Sequence, residues 1–287
     1  MPNQFVLMTD DSCDLPREYL EEQSIPTLCL SYIIDEVQFK SYGMPLNNFY
    51  DILRSGRMSA TAQVNVQEAR SFFESFFKQG KDIFYIAFSS GLSGTCSSAQ
   101  VAAQSLLADY PERRAVVIDS LAASMGQGLL VYKANELYRA GASIDELVKF
   151  IEDTRDHVAH SFTVDDLMYL HRGGRVSKAS AVAGSMLGIK PILHLDSEGK
   201  LINIDKVRGR KAALQRVVDN ALKWCAGTEN DMFMVSHGDC LEDAQYVADL
   251  VKKRTGINKY MINYVGPVIG SHSGPGTIAL FMIGNKI

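Results

Sequence analysis

The chain has 287 residues, of which 46% are hydrophobic and 22% charged, and its net charge is −4. This composition is typical of a globular protein that buries a large core in one or two domains. The mildly acidic balance argues against nucleic-acid binding, and the absence of any apolar run of about 18 residues argues against a membrane span.

The cysteines are few and scattered. They are Cys13, Cys29, Cys96, Cys225 and Cys240. An odd number without any C-x-x-C pair supports neither a disulfide framework nor a zinc site, and reduced thiols predict a cytoplasmic protein. Cys96 follows the loop described below, where we expect a buried core residue rather than a reactive thiolate.

The first half of the chain alternates apolar runs with amphipathic segments. Strands are predicted over residues 5–8, 27–34, 37–39, 83–88 and 115–119. Helices are predicted over residues 16–23, 47–55, 67–78 and 97–107, then after residues 120–128 to about residue 140, and, after a capping box at Ser143 and Glu146, to about residue 157. Residues 58–65 are predicted to form a polar loop. Strands that alternate with helices indicate a parallel sheet with helices on both faces.

Two features of this half leave alternatives open. The aspartates of the loop Thr9-Asp10-Asp11-Ser12-Cys13-Asp14 are most simply turn and cap residues, but three close carboxylates also suit a metal. The four phenylalanines of the helix over residues 67–78 are typical of a core-facing stripe, and the alternative is the lining of an apolar tunnel.

The segment Ser89-Ser90-Gly91-Leu92-Ser93-Gly94-Thr95 is the strongest candidate site in this half. It follows a predicted buried strand and opens a helix, which is where open α/β sheets bind ligands. Backbone N–H groups at a helix start favour an anionic oxygen group, glycines permit close approach, and hydroxyls donate without charge. The segment therefore predicts capture of a small anion, with ordinary helix capping as the alternative.

The second half changes character. Short strands are predicted over residues 160–164, 189–195, 201–206, 232–236, 259–264 and 278–283, and the turn at Glu198-Gly199 predicts an antiparallel hairpin. Helices are predicted over residues 167–172, 179–187, 211–224 and 241–254, and residues 266–276 are predicted to form a rigid loop. We therefore predict an N-terminal α/β domain with a parallel sheet over residues 1–158. It packs on a C-terminal α+β domain with a mixed sheet over residues 159–287.

Familiar catalytic motifs are not matched. In Gly91-Leu92-Ser93-Gly94 the second glycine directly follows the serine, whereas a nucleophile elbow needs it two places on. There is no phosphate-binding G-x-x-x-x-G-K-[ST], and Gly274-Pro275-Gly276 precedes a strand rather than a helix. A Ser93–His272 pair brought together by the fold remains an alternative that the sequence leaves open.

Several stretches taken together resemble the DegV family of bacterial fatty-acid-binding proteins. They run in the family order over almost the whole chain. They are residues 9–15 (TDDSCDL), 89–95 (SSGLSGT), 170–176 (LHRGGRV), 188–193 (GIKPIL), 206–210 (KVRGR) and 270–276 (GSHSGPG).

This resemblance implies a fatty acid held between two α/β-type domains. It implies that the carboxylate is received by Thr61, Ser93 and the backbone near Gly94, with His272 close to the head group. Some family members present the carboxylate to a fatty acid kinase, which forms an acyl phosphate, and there the positions of Arg175, Arg208 and His272 matter for that handover.

One departure from the family pattern concerns the head-group loop. The family usually shows Thr-Ser-Gln-Pro-Ser where this chain has Thr61-Ala62-Gln63-Val64-Asn65. A less rigid loop is expected without the proline. The acyl chain needs a long apolar cavity, for which the sequence offers candidates that cannot be separated from the core. They are Met125, Leu129, Leu130, Ile189, Ile192 and Val268.

The sequence thus predicts a non-catalytic cytoplasmic carrier of a long-chain fatty acid, with a fatty acid kinase as partner. No cofactor or metal is expected, and its membrane contact would be transient. Two alternatives belong to other classes: a serine-dependent acyl hydrolase using Ser93 and His272, and a phosphate-ligand sensor using residues 89–95 and 173–175.

Overall fold

The computed structural model describes residues 5–177 and 188–285. Its strands are β1 Phe5–Asp10, β2 Thr27–Leu28, β3 Ser31–Ile34, β4 Val37–Lys40, β5 Ser59–Ala62, β6 Asp82–Ala87, β7 Ala115–Asp119, β8 Val158–Thr163, β9 Ile189–Leu195, β10 Leu201–Arg208, β11 Met232–His237, β12 Lys259–Tyr264 and β13 Ile278–Ile283. Its α-helices are α1 Arg17–Glu22, α2 Leu46–Arg54, α3 Val66–Phe77, α4 Thr95–Asp109, α5 Met125–Arg139, α6 Ile144–Thr154, α7 Leu167–Arg172, α8 Arg210–Trp224, α9 Leu241–Thr255 and α10 Pro267–Ser273. The helix predicted over residues 179–187 lies outside the described residues.

The first sheet has the order β2-β1-β6-β7, and all its strands are parallel. Alternate residues of β6 face opposite cores: Phe84 and Ile86 pack towards α5, whereas Ile83 and Tyr85 pack towards α3 and α4. Two buried faces explain why the strand is apolar throughout. The predicted parallel sheet with helices on both faces is confirmed.

The second sheet has the order β10-β9-β8-β13-β11-β12 and is mixed. β9 and β10 form the predicted antiparallel hairpin, β11 and β12 run parallel, and β13 is antiparallel to both of its neighbours, β8 and β11. The predicted mixed sheet is confirmed. Strand β10 lies at one edge of this sheet, so the residues on it, including Arg208, sit at the margin of the fold.

A small third sheet, with the order β4-β3-β5, was not predicted as such. The strand expected over residues 27–34 breaks into β2 and β3, because the Leu30 N–H donates to the Asp11 carboxylate at 3.0 Å and not to a neighbouring strand. The polar loop expected over residues 58–65 contains β5, which pairs with β3. Pairing with β3 makes this segment a strand although its local sequence has only a weak strand propensity.

The rigid loop predicted over residues 266–276 is also wrong, because residues Pro267–Ser273 form helix α10. Proline occupies the first turn, where a missing N–H costs nothing. The preceding Gly266 N–H donates to Asp14 Oδ1 at 2.9 Å, which fixes the start of the helix against the first sheet. The glycines that suggested a loop flank the helix or sit where side chains approach it closely.

Helix α5 joins the two large sheets. One continuous core contains Leu129 and Leu130 of α5, Phe84 of the first sheet, and Met234 and Phe281 of the second. The phenylalanines of α3 belong to another core, in which Phe73 and Phe77 are buried, so they form core as expected. The division at residue 158 stays a prediction, since the shared core lies across it.

Candidate ligand-binding site

A cavity of 410 Å³ opens between the two large sheets. Most of its wall is apolar and comes from both halves of the chain. The apolar lining residues are Leu30, Ala62, Phe88, Leu92, Ala123, Phe162, Leu170, Leu195, Leu201, Val265, Val268, Ile269, Ala279 and Phe281. Polar side chains interrupt this lining at a few places, and Thr61, Ser93, Arg175 and His272 are among them. An enclosed apolar cavity with a few polar groups is the usual form of a small-molecule site.

The loop after β6 supplies one wall of this cavity. The Ser89 N–H donates to Ala122 O at 3.0 Å, and the Ser89 hydroxyl donates to Gly199 O at 2.9 Å. The second bond ties the loop to the turn between β9 and β10. Gly91 is required at this junction because a Cβ there would collide with the Glu198 carbonyl. The loop is therefore held in place by both large sheets.

Ser93 reaches the cavity as a hydrogen-bond donor. Its Oγ accepts the Thr95 N–H at 3.2 Å and lies 3.0 Å from Thr95 Oγ1. Thr95 is fully buried, its oxygen accepts the Val64 N–H at 3.3 Å, and within the described residues Ser93 Oγ is the one acceptor beside its hydroxyl hydrogen, so we assign Thr95 as the donor to Ser93. Both lone pairs of Ser93 are then used. The remaining Ser93 hydrogen is free for a ligand oxygen.

Residues 62–65, where the sequence differs from the family pattern, are held in place by hydrogen bonds. The Val64 N–H bond to Thr95 cannot be made by proline, which has no N–H. Asn65 caps α3 in a complete capping box with Glu68, accepting the Glu68 N–H at 2.9 Å. The loop is therefore anchored at two of the three substituted positions, Val64 and Asn65, and the expected loss of rigidity is offset.

Thr61 and His272 form the second polar pair. Thr61 Oγ1 lies 2.8 Å from His272 Nε2, and His272 Nδ1 is buried without a partner in the part of the chain that the structure describes. A buried N–H without a partner is rarer than an unused lone pair, so the hydrogen belongs on Nε2 and donates to Thr61. Burial, and then the nearby Arg175, lower the His272 pKa to about 4, which keeps the ring neutral. The Thr61 hydrogen is left free to donate into the cavity.

This pair is held by a second contact between the same elements. Ser59 on β5 and Ser271 on α10 bring their hydroxyl oxygens to 2.7 Å, while Ser271 donates to Pro267 O. His272 also packs against Gly173, where any Cβ would collide with its Nδ1 atom. Gly173 is therefore needed for the histidine to reach Thr61.

Gly94 lies beside Ser93 at the start of α4 but does not line the cavity itself. A Cβ at this position would overlap the Gln63 side chain, which does line the cavity. Gln63 donates to Ser98 Oγ at 3.4 Å, across the first turn of α4. The role of this glycine is thus to let β5 and α4 approach, and Gln63 is a lining residue that the sequence analysis did not select.

The two arginines have different surroundings. Arg175 lines the cavity, and its Nε and Nη2 atoms donate to Leu92 O at 3.2 and 3.1 Å, while Nη1 donates to Gly173 O. Partial burial lowers its pKa, although guanidinium stays charged. Arg208 is exposed at the end of the edge strand β10 and does not line the cavity. The structure therefore brings Thr61, Ser93, Arg175 and His272 together and leaves Arg208 apart.

The sequence candidates for the apolar wall are mostly core residues. Val268 lines the cavity, whereas Met125, Leu129, Leu130, Ile189 and Ile192 do not. The aromatic wall comes instead from Phe88, Phe162 and Phe281, whose strand patterns look the same as those of core positions. The sequence analysis also missed the polar lining residues Ser124, His160, Ser236 and Ser273. Nothing in their local sequence distinguishes them.

The acidic loop serves the fold. Asp10 accepts hydrogen bonds from the Phe88 N–H at 2.9 Å and the Tyr85 hydroxyl at 2.8 Å, and Asp14 accepts from Gly266. Burial raises the pKa of Asp11 to about 7 and that of Asp14 to about 8.

Within residues 5–177 and 188–285, no group of three metal-binding side chains is placed to hold an ion. In the same part of the chain, no helix is both long and apolar enough to cross a bilayer.

Comparisons with known proteins agree with this geometry. The family model described as "Uncharacterised protein, DegV family" matches residues 4–285. A DegV domain-containing protein of Clostridium perfringens is 39% identical over 98% of both chains. The fold matches that of DegV from Bacillus subtilis, described as a fatty acid binding protein, with a TM-score of 0.84 at 28% identity over 98% of this chain and 99% of that one. A fatty-acid-binding DegV family protein from Thermus thermophilus matches with a TM-score of 0.86 at 25% identity over 98% and 99% of the two chains. The chain belongs to the DegV family.

Proposed function

We propose that this protein binds a long-chain fatty acid in the cavity between its two large sheets. The observation that carries the proposal is the arrangement of the wall. An apolar cavity of 410 Å³ contains two hydroxyls, of Thr61 and Ser93, whose hydrogens are left free by their own hydrogen bonds. Fatty-acid binding by the relatives from Bacillus subtilis and Thermus thermophilus supports the same ligand class.

The carboxylate would sit between Thr61 and Ser93. Neutral donors and one nearby guanidinium suit a single negative charge, because hydrogen bonds to a charged oxygen are stronger than those between neutral groups. Three of the five Arg175 N–H groups donate to backbone carbonyls of Leu92 and Gly173, which holds the positive charge at the cavity wall. Burying the acyl chain would contribute about 0.8 kcal/mol for each methylene group.

We further propose that the protein is a cytoplasmic carrier that presents the carboxylate to a fatty acid kinase. The head-group end adjoins a second, outer pocket of 230 Å³ that shares Thr61, Arg175 and His272 with the cavity. A carboxylate held there is accessible from outside. The kinase step would join a carboxylate oxygen to the terminal phosphorus of ATP and release ADP, giving an acyl phosphate. Exposed Arg208 would then contribute to partner recognition rather than to ligand binding.

A serine hydrolase is the competing function, and the geometry favours it less. Within the described residues, His272 Nε2 is bonded to Thr61, and no hydrogen bond joins it to Ser93. Ser93 has both lone pairs occupied, whereas a nucleophile needs one directed at the substrate and a base to take its hydrogen.

Mass spectrometry of the purified protein tests the ligand class. Native spectra followed by organic extraction should release a stoichiometric long-chain fatty acid. A purified protein that carries no fatty acid and that also takes up neither palmitate nor oleate would contradict the proposal.

The competing hydrolase function is tested with p-nitrophenyl acyl esters. Turnover that disappears in Ser93→Ala would favour the hydrolase.

The kinase step is tested by incubating the loaded protein with a bacterial fatty acid kinase and ATP, and acyl phosphate is trapped with hydroxylamine. No hydroxamate above the level without the protein would contradict it.

A further inference from the structure

The cavity contains a second group of hydroxyls, Ser124, Ser236 and Ser273, which the head-group proposal does not use. These three residues line the cavity with relative exposures of 5%, 0% and 4%. Ser236 lies on β11 directly across from Ala279 on β13, in a wall that also contains Val265 and Phe281. Hydroxyls in an otherwise apolar wall require hydrogen-bond partners.

Ser124 and Ser236 satisfy only part of this requirement between themselves. Their oxygens lie 2.8 Å apart, and Ser124 Oγ lies 2.5 Å from Asp14 Oδ2. One hydroxyl hydrogen cannot serve both contacts. With Asp14 ionised, Ser124 donates to it and Ser236 donates to Ser124, which leaves Ser236 as an acceptor. With Asp14 protonated, the chain reverses and Ser236 is left as a donor. In either state one hydrogen-bonding function of Ser236 is unused.

Ser273 has no hydrogen-bond partner within the described residues, although its Oγ is buried. Thr277 connects it to the Ser236 strand. The Thr277 hydroxyl lies 2.8 Å from Gly274 O and 3.1 Å from Ser273 O, and the Thr277 carbonyl accepts the Gly238 N–H at 2.8 Å, two residues beyond Ser236. A buried hydroxyl without a partner is costly and in native proteins is normally satisfied by water or by a ligand. Ser273 therefore offers both a donor and an acceptor.

We propose that Ser236 and Ser273 form a second binding site in the cavity, which takes a hydroxyl group carried on the acyl chain of the ligand. This inference rests on the proposed fatty-acid function and specifies its substrate class as a hydroxy fatty acid. An alcohol both donates and accepts, which matches what the two serines leave unused. A second carboxylate does not fit, because Ser124 connects this site directly to Asp14 and not to a cation.

Competition binding tests the inference. Delipidated protein is loaded with a fluorescent fatty acid, which is displaced by stearic acid or by monohydroxystearic acids whose hydroxyl is moved along the chain. Without a partner in the cavity, a buried hydroxyl weakens binding by roughly tenfold or more. We expect at least one isomer to bind as tightly as stearic acid. In the Ser236→Ala/Ser273→Ala protein that isomer should bind roughly tenfold more weakly, while stearic acid is unaffected.

Ser161→Ala is the matched control. Among the described residues Ser161 is also buried without a partner, but it does not line the cavity, so its replacement should change the affinity for neither ligand. The inference is overturned if every isomer binds at least tenfold more weakly than stearic acid to the unmodified protein. It is also overturned if the double variant weakens both ligands equally, because Ser273 would then serve the carboxylate. The proposed function itself fails only if stearic acid is not bound at all, which separates the two conclusions.

Discussion

Thr61 Oγ1 lies 2.8 Å from His272 Nε2, and this contact connects strand β5 to helix α10 at the mouth of the cavity. Because the histidine is neutral and its other ring nitrogen has no partner among the described residues, it acts as the donor. The threonine hydrogen is thereby left free to donate into the cavity. On the proposed function, the histidine would contribute to binding by fixing the direction of this neighbouring hydroxyl.

Replacing Thr61 with valine should weaken fatty-acid binding without altering the fold. Valine keeps the shape but removes the donor, and the loss of a hydrogen bond to a charged group costs about 1.5–3 kcal/mol, or roughly 10- to 150-fold in affinity. Isothermal titration with oleate measures the change. Ser161→Ala, which replaces a buried serine outside the cavity, is the control and should bind oleate normally. Equal affinities of Thr61→Val and the unmodified protein would refute the role of Thr61.

Gly94→Ala should weaken binding through Gln63 rather than through strain in the backbone. Gly94 has an ordinary φ of −73°, so alanine is conformationally acceptable there, but its Cβ would displace the Gln63 side chain. We expect a loss of affinity of about tenfold, because a displacement of this kind disturbs the positions of Thr61 and Ser93. Shortening the neighbour in Gly94→Ala/Gln63→Ala should restore part of the affinity. A double variant as weak as Gly94→Ala alone would mean that the glycine acts in another way.

Arg175 and Arg208 should separate ligand binding from partner recognition. In Arg175→Leu, the carbonyls of Leu92 and Gly173 lose their donors and the cavity loses its positive charge, so oleate should bind at least about tenfold more weakly. Arg208→Ala removes an exposed side chain outside the cavity and should leave the affinity for oleate unchanged. Only acyl phosphate formation by a kinase would then respond to Arg208. A fall in oleate affinity in Arg208→Ala would place this residue at the ligand after all.

The pH dependence of stability should report the burial of His272. Its pKa is lowered to about 4 by burial and by Arg175, against about 6.5 in an unfolded chain. Between these values the unfolded state binds more protons, so stability from the neutral ring is present above pH 6.5 and is lost as the pH falls towards 4. Urea unfolding of His272→Asn between these limits should therefore show a shallower fall than the unmodified protein. Parallel curves for the two proteins would show that His272 is not held neutral.

The secondary-structure elements with strong local patterns can be predicted from the sequence. The long helices, the strands of both large sheets and the β9–β10 hairpin follow from apolar periodicity and turn residues, and the Ser143–Glu146 capping box lies where it was predicted. The loop at residues 89–95 could be selected because its position after a strand and before a helix is itself a local property. The resemblance to the DegV family also indicates Thr61, Ser93 and His272 as head-group residues.

Which of these residues contact one another, and which of them donate hydrogen bonds, depends on the tertiary structure. Residues 59–62 became a strand because β3 pairs with them, and residues 267–273 became a helix whose start is fixed by Asp14, which lies far away in the sequence. Cavity and core residues could not be separated, since Val268 and Leu129 are equally apolar in sequence and differ only in what packs against them. Polar residues of the cavity cannot be identified from the sequence either. Ser273 was singled out because its hydroxyl has no partner within the described residues, and only the folded structure shows whether a hydroxyl finds a hydrogen-bond partner.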